Sequence, residues 1–296
     1  MRIASDEIGR GSPPSVPVDA DVSEAAGQDA LWGADAARAP RRESTPRAAG
    51  VGLVWTLVRT DFKARYHGTL GGFVWALLKP LAMFAVLMGV FSFLFPDPSY
   101  KLNLIVGLFL WDFFAEGTKV GLTSLQARAF LLTKARCPTW ILVVTSISNA
   151  VITLTAFYLI ITVFLVVLGR APTVAALALF LLYGAALFSI VIGFSLAASV
   201  LFLRYRDLNQ VWDVAVQAGF FLAPIIYPLG LVPERFHFYF YLWPPTPIIE
   251  FSRAVLVKGV VPTATAHGYL AIYVTVMMLA GLGIFRWLAP RAAEYV

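Results

Sequence analysis

From Gly72 onward the chain alternates long apolar runs with short polar links. A helix needs about 20 residues to cross the hydrocarbon of a bilayer. On that ruler six segments qualify: 72–95, 102–123, 140–168, 172–203, 208–227 and 268–288. The third and fourth carry no charge at all. The second carries Asp112, Glu116 and Lys119, and the fifth carries Asp213 and Pro224. The pattern therefore predicts an all-α polytopic membrane protein with six transmembrane helices.

A different pattern precedes the first run. Val51, Val54, Trp55, Val58, Phe62 and Tyr66 recur at spacings of three and four, which is one face of a helix. Thr56, Arg59, Thr60, Lys63 and His67 occupy the other face. Such a helix, 51–67, lies in the headgroup plane with its bases toward anionic lipid. Gly71 and Gly72 end it and turn the chain into the membrane. Lys79, about two turns in, can snorkel back to the interface. Pro80 removes a backbone donor and is expected to kink the helix.

The link 228–267 breaks the alternation, being forty residues long and far from polar. Pro228, Pro233, Pro244, Pro245 and Pro247 divide it into short pieces, read as re-entrant helices before the last span. Irregular backbone at membrane depth is tolerated only inside protein or around a water-filled cavity, so this is a gate-like segment. Within it "FHFYFYLW", 236–243, holds six aromatics in eight residues. Two readings stand: a belt at the membrane–water boundary, or rings that stack on the C–H faces of sugars.

Composition agrees with a membrane protein. Of the 296 residues 59% are hydrophobic and only 14% charged, against about a quarter charged in soluble domains. The net charge is +6, but residues 1–50 hold eight of the seventeen acids and six of the twenty-three bases. That segment is rich in Ala, Pro, Gly, Ser and Asp without an apolar core, and is expected to be a disordered cytoplasmic tail rather than a signal peptide. With the tail inside, the inner links carry ten basic residues against five outside, which places both termini in the cytoplasm. No basic cluster sits on a soluble domain, so nucleic acid is not an expected partner.

Several chemistries are missing. No G-x-x-x-x-G-K-[ST] occurs, so the chain has no P-loop of its own. His67, His237 and His267 are scattered, the single Cys137 is near none of them, and no metal-ligand spacing appears. Asp112, Glu116 and Lys119 share one helix face, either as a polar lining or as a local Glu116–Lys119 pair. Asp213 is either part of that lining or simply interfacial.

Beyond these local readings, "RTDFKARYHGTLGGFVWALLKPL", "LLTKARCPTW", "FLRYRDLNQVWDVAVQAGFFLAPIIYPLGLVPERF" and "LWPPTPIIEFSRAVL" together resemble the permease subunit of ABC-2-type polysaccharide exporters. This is the group that moves O-antigen, capsule and teichoic acid chains, and the resemblance covers 51–296, with Trp243 where the family commonly has Asn. It implies a homodimer bound to two copies of a separate ATPase that holds ATP and Mg, in a bacterial inner membrane, with a lipid-linked polysaccharide as cargo. It also implies that the interface helix and inner loops transmit nucleotide-driven movement, which points to Arg59, Lys63, Arg65, Arg128, Lys134 and Arg136. A sliding glycan favours weak, repeated, uncharged contacts. The path is therefore expected along Phe220, Phe221, Tyr227, Phe238, Tyr239, Tyr241 and Trp243; should these rings form only an interfacial belt, Trp75, Phe84 and Phe91 of the first span line it instead. The competing readings are an exporter of lipid or drug with the same fold, and a membrane-embedded glycosyl or acyl transferase. The second would gather titratable groups in one cleft, which the sequence does not suggest.

Overall fold

The computed structural model describes residues 52, 54–61, 63, 72–134 and 138–290. The tail 1–50 lies outside the described residues, as do Arg65, Arg136 and Cys137. Among the described residues there is no strand. Residues 54–61 are helical, within the expected interface helix 51–67. Among the described residues nine α-helices follow: α1 (Gly72–Phe91), α2 (Tyr100–Ala127), α3 (Ala129–Lys134), α4 (Thr139–Val167), α5 (Val174–Arg204), α6 (Leu208–Leu222), α7 (Glu234–Leu242), α8 (Pro245–Leu256) and α9 (Ala264–Leu288), with one 3-10 turn at Leu229–Leu231.

Four of these, α1, α4, α5 and α9, are long and apolar enough to cross a membrane. The helix α2 spans 28 residues, about 42 Å at 1.5 Å per residue, but it carries Lys101, Asp112, Glu116 and Lys119. Its length suffices; its composition does not meet the same standard. The physical reason is position. Packed against α4, α5 and α8, α2 is the core of the bundle, with Leu104, Val106 and Phe109 fully buried. A helix wrapped in protein need not match lipid. The helix α6 has only 15 residues, about 22 Å, short of a hydrocarbon core of about 30 Å. It stops at Leu222 because Pro224 follows: the residue before a proline is driven out of the helical region, and Ala223 sits at φ −69°, ψ 133°.

Termini elsewhere follow local chemistry. Thr173 and Thr263 cap α5 and α9, each side chain accepting a hydrogen bond from the backbone N–H three residues on. Gly169 and Gly259 take φ +73° and +66° just past α4 and α8, the left-handed turn that ends a helix cheaply only with glycine. The helix α1 runs on through Pro80.

Close approach holds the bundle together. A Cβ on Gly281 of α9 would fall on the Gly193 carbonyl of α5, and a Cβ on Gly121 of α2 would fall on Ser195 of α5. Helices in lipid gain little from apolar burial alone, so small residues that let backbones touch supply the attraction. By contrast only 11% of the α1 span is buried, and Val74, Trp75, Val86 and Val90 stand exposed.

Candidate functional site

Two polar and aromatic assemblies sit at opposite depths of α2. The first gathers around Arg253 at the end of the bundle that holds the 92–99 and 168–173 links. Pro245 and Pro247 start α8, where their missing N–H groups would be unpaired anyway. One turn on, the buried face of α8 carries Ile248, Ile249, Ser252 and Arg253. Arg253 is 4% exposed. Its Nε donates to the Asn103 carbonyl of α2 at 2.9 Å, Nη1 to the Pro224 carbonyl, and Nη2 to the Ile225 carbonyl at 3.0 Å. Nη1 also meets Glu250 Oε1 at 2.9 Å. One guanidinium thus ties α8 to the start of α2 and to the stretch after α6. Gly107 makes the room, since a Cβ there would lie 2.5 Å from Nη2.

The second assembly joins α6 to α2. Trp212 Nε1 donates to Thr118 Oγ1 at 3.1 Å, and next to it Lys119 Nζ meets Asp213 Oδ1 at 2.7 Å. So Lys119 reaches across to α6, and Asp213 is an interhelical partner rather than a bystander. The Trp212 ring stacks on Phe194 of α5 at 4.1 Å and lies edge-on to Phe114 at 6.3 Å. Trp243 completes this nest, with centroids 6.3 Å from Trp111, 6.1 Å from Phe114 and 6.5 Å from Trp212. It lies against Gly219, where any Cβ would strike the indole. Such ring pairs add about 0.5–1.5 kcal/mol each beyond area burial.

Between α1, α2 and α6 the same region leaves a groove of about 440 Å³, lined by Lys79, Met83, Trp111, Asp112, Val216 and Phe220. A basic and an acidic side chain therefore border the same space. At the far end of α2, Arg128 forms an ion pair with Asp61 of the helical stretch 54–61. It also donates from Nη1 to the Leu142 carbonyl at 2.9 Å and to Thr145 Oγ1, both on α4. No group of three or more His, Cys, Asp or Glu suited to a metal occurs among the described residues.

The expected path residues separate into two sets. Trp243 and Phe220 enter the aromatic nest, Phe220 lying 5.9 Å from Trp111, and Phe84 turns to Phe164 of α4 at 5.8 Å. Tyr227 donates to the Phe221 carbonyl at 2.7 Å, closing the turn after α6. Trp75, Phe221, Phe238 and Tyr239 are well exposed, and Tyr241 borderline so. Of the expected coupling residues, Arg59 and Lys63 are exposed, Arg128 is turned inward, and Lys134 ends α3. Sequence reasoning missed Trp111, Phe114 and Trp212 as one cluster, because Trp212 stands on another helix, 98 residues beyond Phe114 in the chain. A signal existed for Arg253: a Glu–Arg pair at i, i+3 between two proline-rich turns and an apolar run.

Comparison with known proteins is consistent with this picture. A family model described as ABC-2 type transporter matches residues 52–257. A Klebsiella pneumoniae protein named O-antigen export system permease protein RfbA is 27% identical over 249 residues, 82% of this chain and 94% of its own. A Myxococcus xanthus protein of the same name is 27% identical over 265 residues, covering 83% and 95%. The polysialic acid transport protein KpsM of Escherichia coli is 21% identical over 238 residues, 79% and 92%.

Proposed function

The chain belongs to the ABC-2 type transporter family, and we propose that it is the channel-forming permease subunit of an ATP-driven exporter of a lipid-linked polysaccharide. The observation that carries this reading is the groove beside Lys79 and Asp112. Charged side chains at membrane depth are expensive unless they face water, protein or cargo. Here they border a space open between α1, whose span is only 11% buried, and α6, which buries Gly219 alone. Two copies of the chain, set with these faces together, would enclose a polar-floored passage. The names of the relatives, O-antigen export permeases and a polysialic acid transport protein, support a glycan as cargo.

In this reading α2 and α6 with its following turn are the second and fifth of six spans. The short helices α7 and α8 dip into the outer half of the bacterial inner membrane and return. Both termini are cytoplasmic and 1–50 is a tail. Phe221, Phe238 and Tyr239 offer the cargo exposed rings, with Tyr241 on the same helix as the last two and Trp75 at the start of α1. Arg59, Lys63, Arg65, Lys134 and Arg136 face two copies of a separate ATPase. Arg128 has another part: it fastens the interface helix to α4, so that movement of one reaches the other.

Two results are expected. The isolated chain should turn over no ATP, while coexpression with its ATPase should yield a complex that does; deleting the chain should leave completed glycan inside the cell. ATP turnover by the chain alone would sink the reading. Separately, Arg128→Met should leave membrane insertion and complex formation intact but lower glycan exported per ATP hydrolysed by about fivefold or more, as loss of one buried charged contact predicts. Equal coupling in that variant would confine Arg128 to stability.

A further inference from the structure

Among the cavities that the exporter reading leaves unused, one is built around polar groups. It measures about 470 Å³ and lies beside the Arg253 latch, between the α1–α2 link, the start of α2, the stretch after α6 and the end of α8. That volume is within the range of small-ligand sites and has room for about one or two sugar rings.

Two of its wall residues carry a polar atom without a partner, closed to solvent just behind the wall. Tyr100 is 6% exposed, yet its hydroxyl has no hydrogen bond, and neither does the Asn103 side-chain oxygen three residues on. Both residues line the space. A buried polar atom left unpaired is costly, and two beside one cavity, one able to donate and one able to accept, form half of a hydrogen-bonding site.

Charge narrows the ligand. The Arg253 guanidinium also lines the cavity, but its donors are committed to the carbonyls of Asn103, Pro224 and Ile225 and to Glu250. Asp97 and Glu250 stand against Lys258 and Arg253, so the lining carries no net charge. A phosphate or a free carboxylate finds no open cation pair here. The rings of Phe95 and Tyr100 stack at 5.2 Å, and Tyr227 borders the same space. Aromatic surface, one donor, one acceptor and no net charge suit a neutral polyhydroxyl ring.

We propose that this cavity is a saccharide-binding subsite, lying off the groove between α1 and α6, that holds a unit of the glycan by Tyr100 Oη and Asn103 Oδ1 after these two side chains turn into the space. Its place beside Arg253 joins occupancy to the latch, because Asn103 gives its side chain to the sugar and its carbonyl to Arg253. The inference rests on the exporter reading.

The test uses the purified complex of the full chain with its ATPase in nanodiscs. The probe is the oligosaccharide released by mild acid from the producing bacterium's own surface polysaccharide, followed by saturation-transfer NMR. The wild-type complex should bind it. Tyr100→Phe and Asn103→Leu should each weaken binding by about three- to tenfold, the effect of one lost hydrogen bond. Because the Tyr100 hydroxyl is unpaired without ligand, Tyr100→Phe should leave the melting temperature unchanged or raise it. Unaltered binding in both variants would overturn the proposal. So would a fall in melting temperature with Tyr100→Phe, which would mean that the hydroxyl is already paired within the protein. Absence of wild-type binding in cells that still export glycan would overturn it too, while leaving the exporter reading standing. Loss of both binding and export in the wild type would remove the exporter reading and this inference together.

Discussion

Replacing Arg253 by Met is expected to destabilise the purified complex by about 3–5 kcal/mol, the usual effect of removing one partner from a buried pair. The reason lies in what remains behind. Glu250 would keep a charge with its side chain only 16% exposed, and the carbonyls of Asn103, Pro224 and Ile225 would lose their donor together. Lys cannot substitute, since a single ammonium lacks the planar fork that reaches three carbonyls in different directions. The double variant Arg253→Met with Glu250→Gln removes the stranded charge and should recover part of the loss. Thermal unfolding of the four complexes gives the coupling directly. Simple additivity would mean that the pair does not act as a unit.

Trp243→Ala is expected to cost about 3 kcal/mol, the lower end for a large aromatic truncation because the ring is half-buried. Its indole fills the space between Trp111, Phe114 and Trp212 and rests on Gly219. Removing it leaves α6 without its support at the end nearest α7. Trp243→Phe should cost much less, because the indole N–H is buried without a partner and nothing is lost with it. The exposed rings behave differently. Phe221→Ala with Phe238→Ala should leave the melting temperature within about 1 kcal/mol equivalent, as surface changes do, while export falls. If the pair of exposed substitutions exports normally, those rings belong to the lipid boundary and not to the path.

These contrasts show where reading along the chain reached its limit. Apolar length was enough to locate α1, α4, α5 and α9, since lipid sets the number of residues by thickness alone. Spacing was enough to put Asp112, Glu116 and Lys119 on one face, and to mark 54–61 as helical, because both follow from 3.6 residues per turn. Proline punctuation marked 228–267 as broken into short pieces, but the fifth expected span ran to Tyr227, past the end of α6 at Leu222. What the spacing left open was the choice between a local Glu116–Lys119 pair and a longer contact. Lys119 reaches Asp213, 94 residues away, and no periodicity contains that distance.

Aromatic residues give the same lesson. In the chain, Trp243 and Phe238 look alike, both in one aromatic run. Only the crossing of α2, α6 and the turn before α8 makes the first a half-buried plug and leaves the second exposed, because Gly219 opens a slot against the indole. Arg253 was legible as a base in a link, and orientation by charge counted it so. Its burial, and the cavity with its unpaired Tyr100 and Asn103, arise from three segments that meet only when α8 folds back onto the start of α2. Local sequence determines which residues share a helix face. The meeting of faces, and so the desolvation that turns a surface charge into a latch, is decided by the tertiary fold alone.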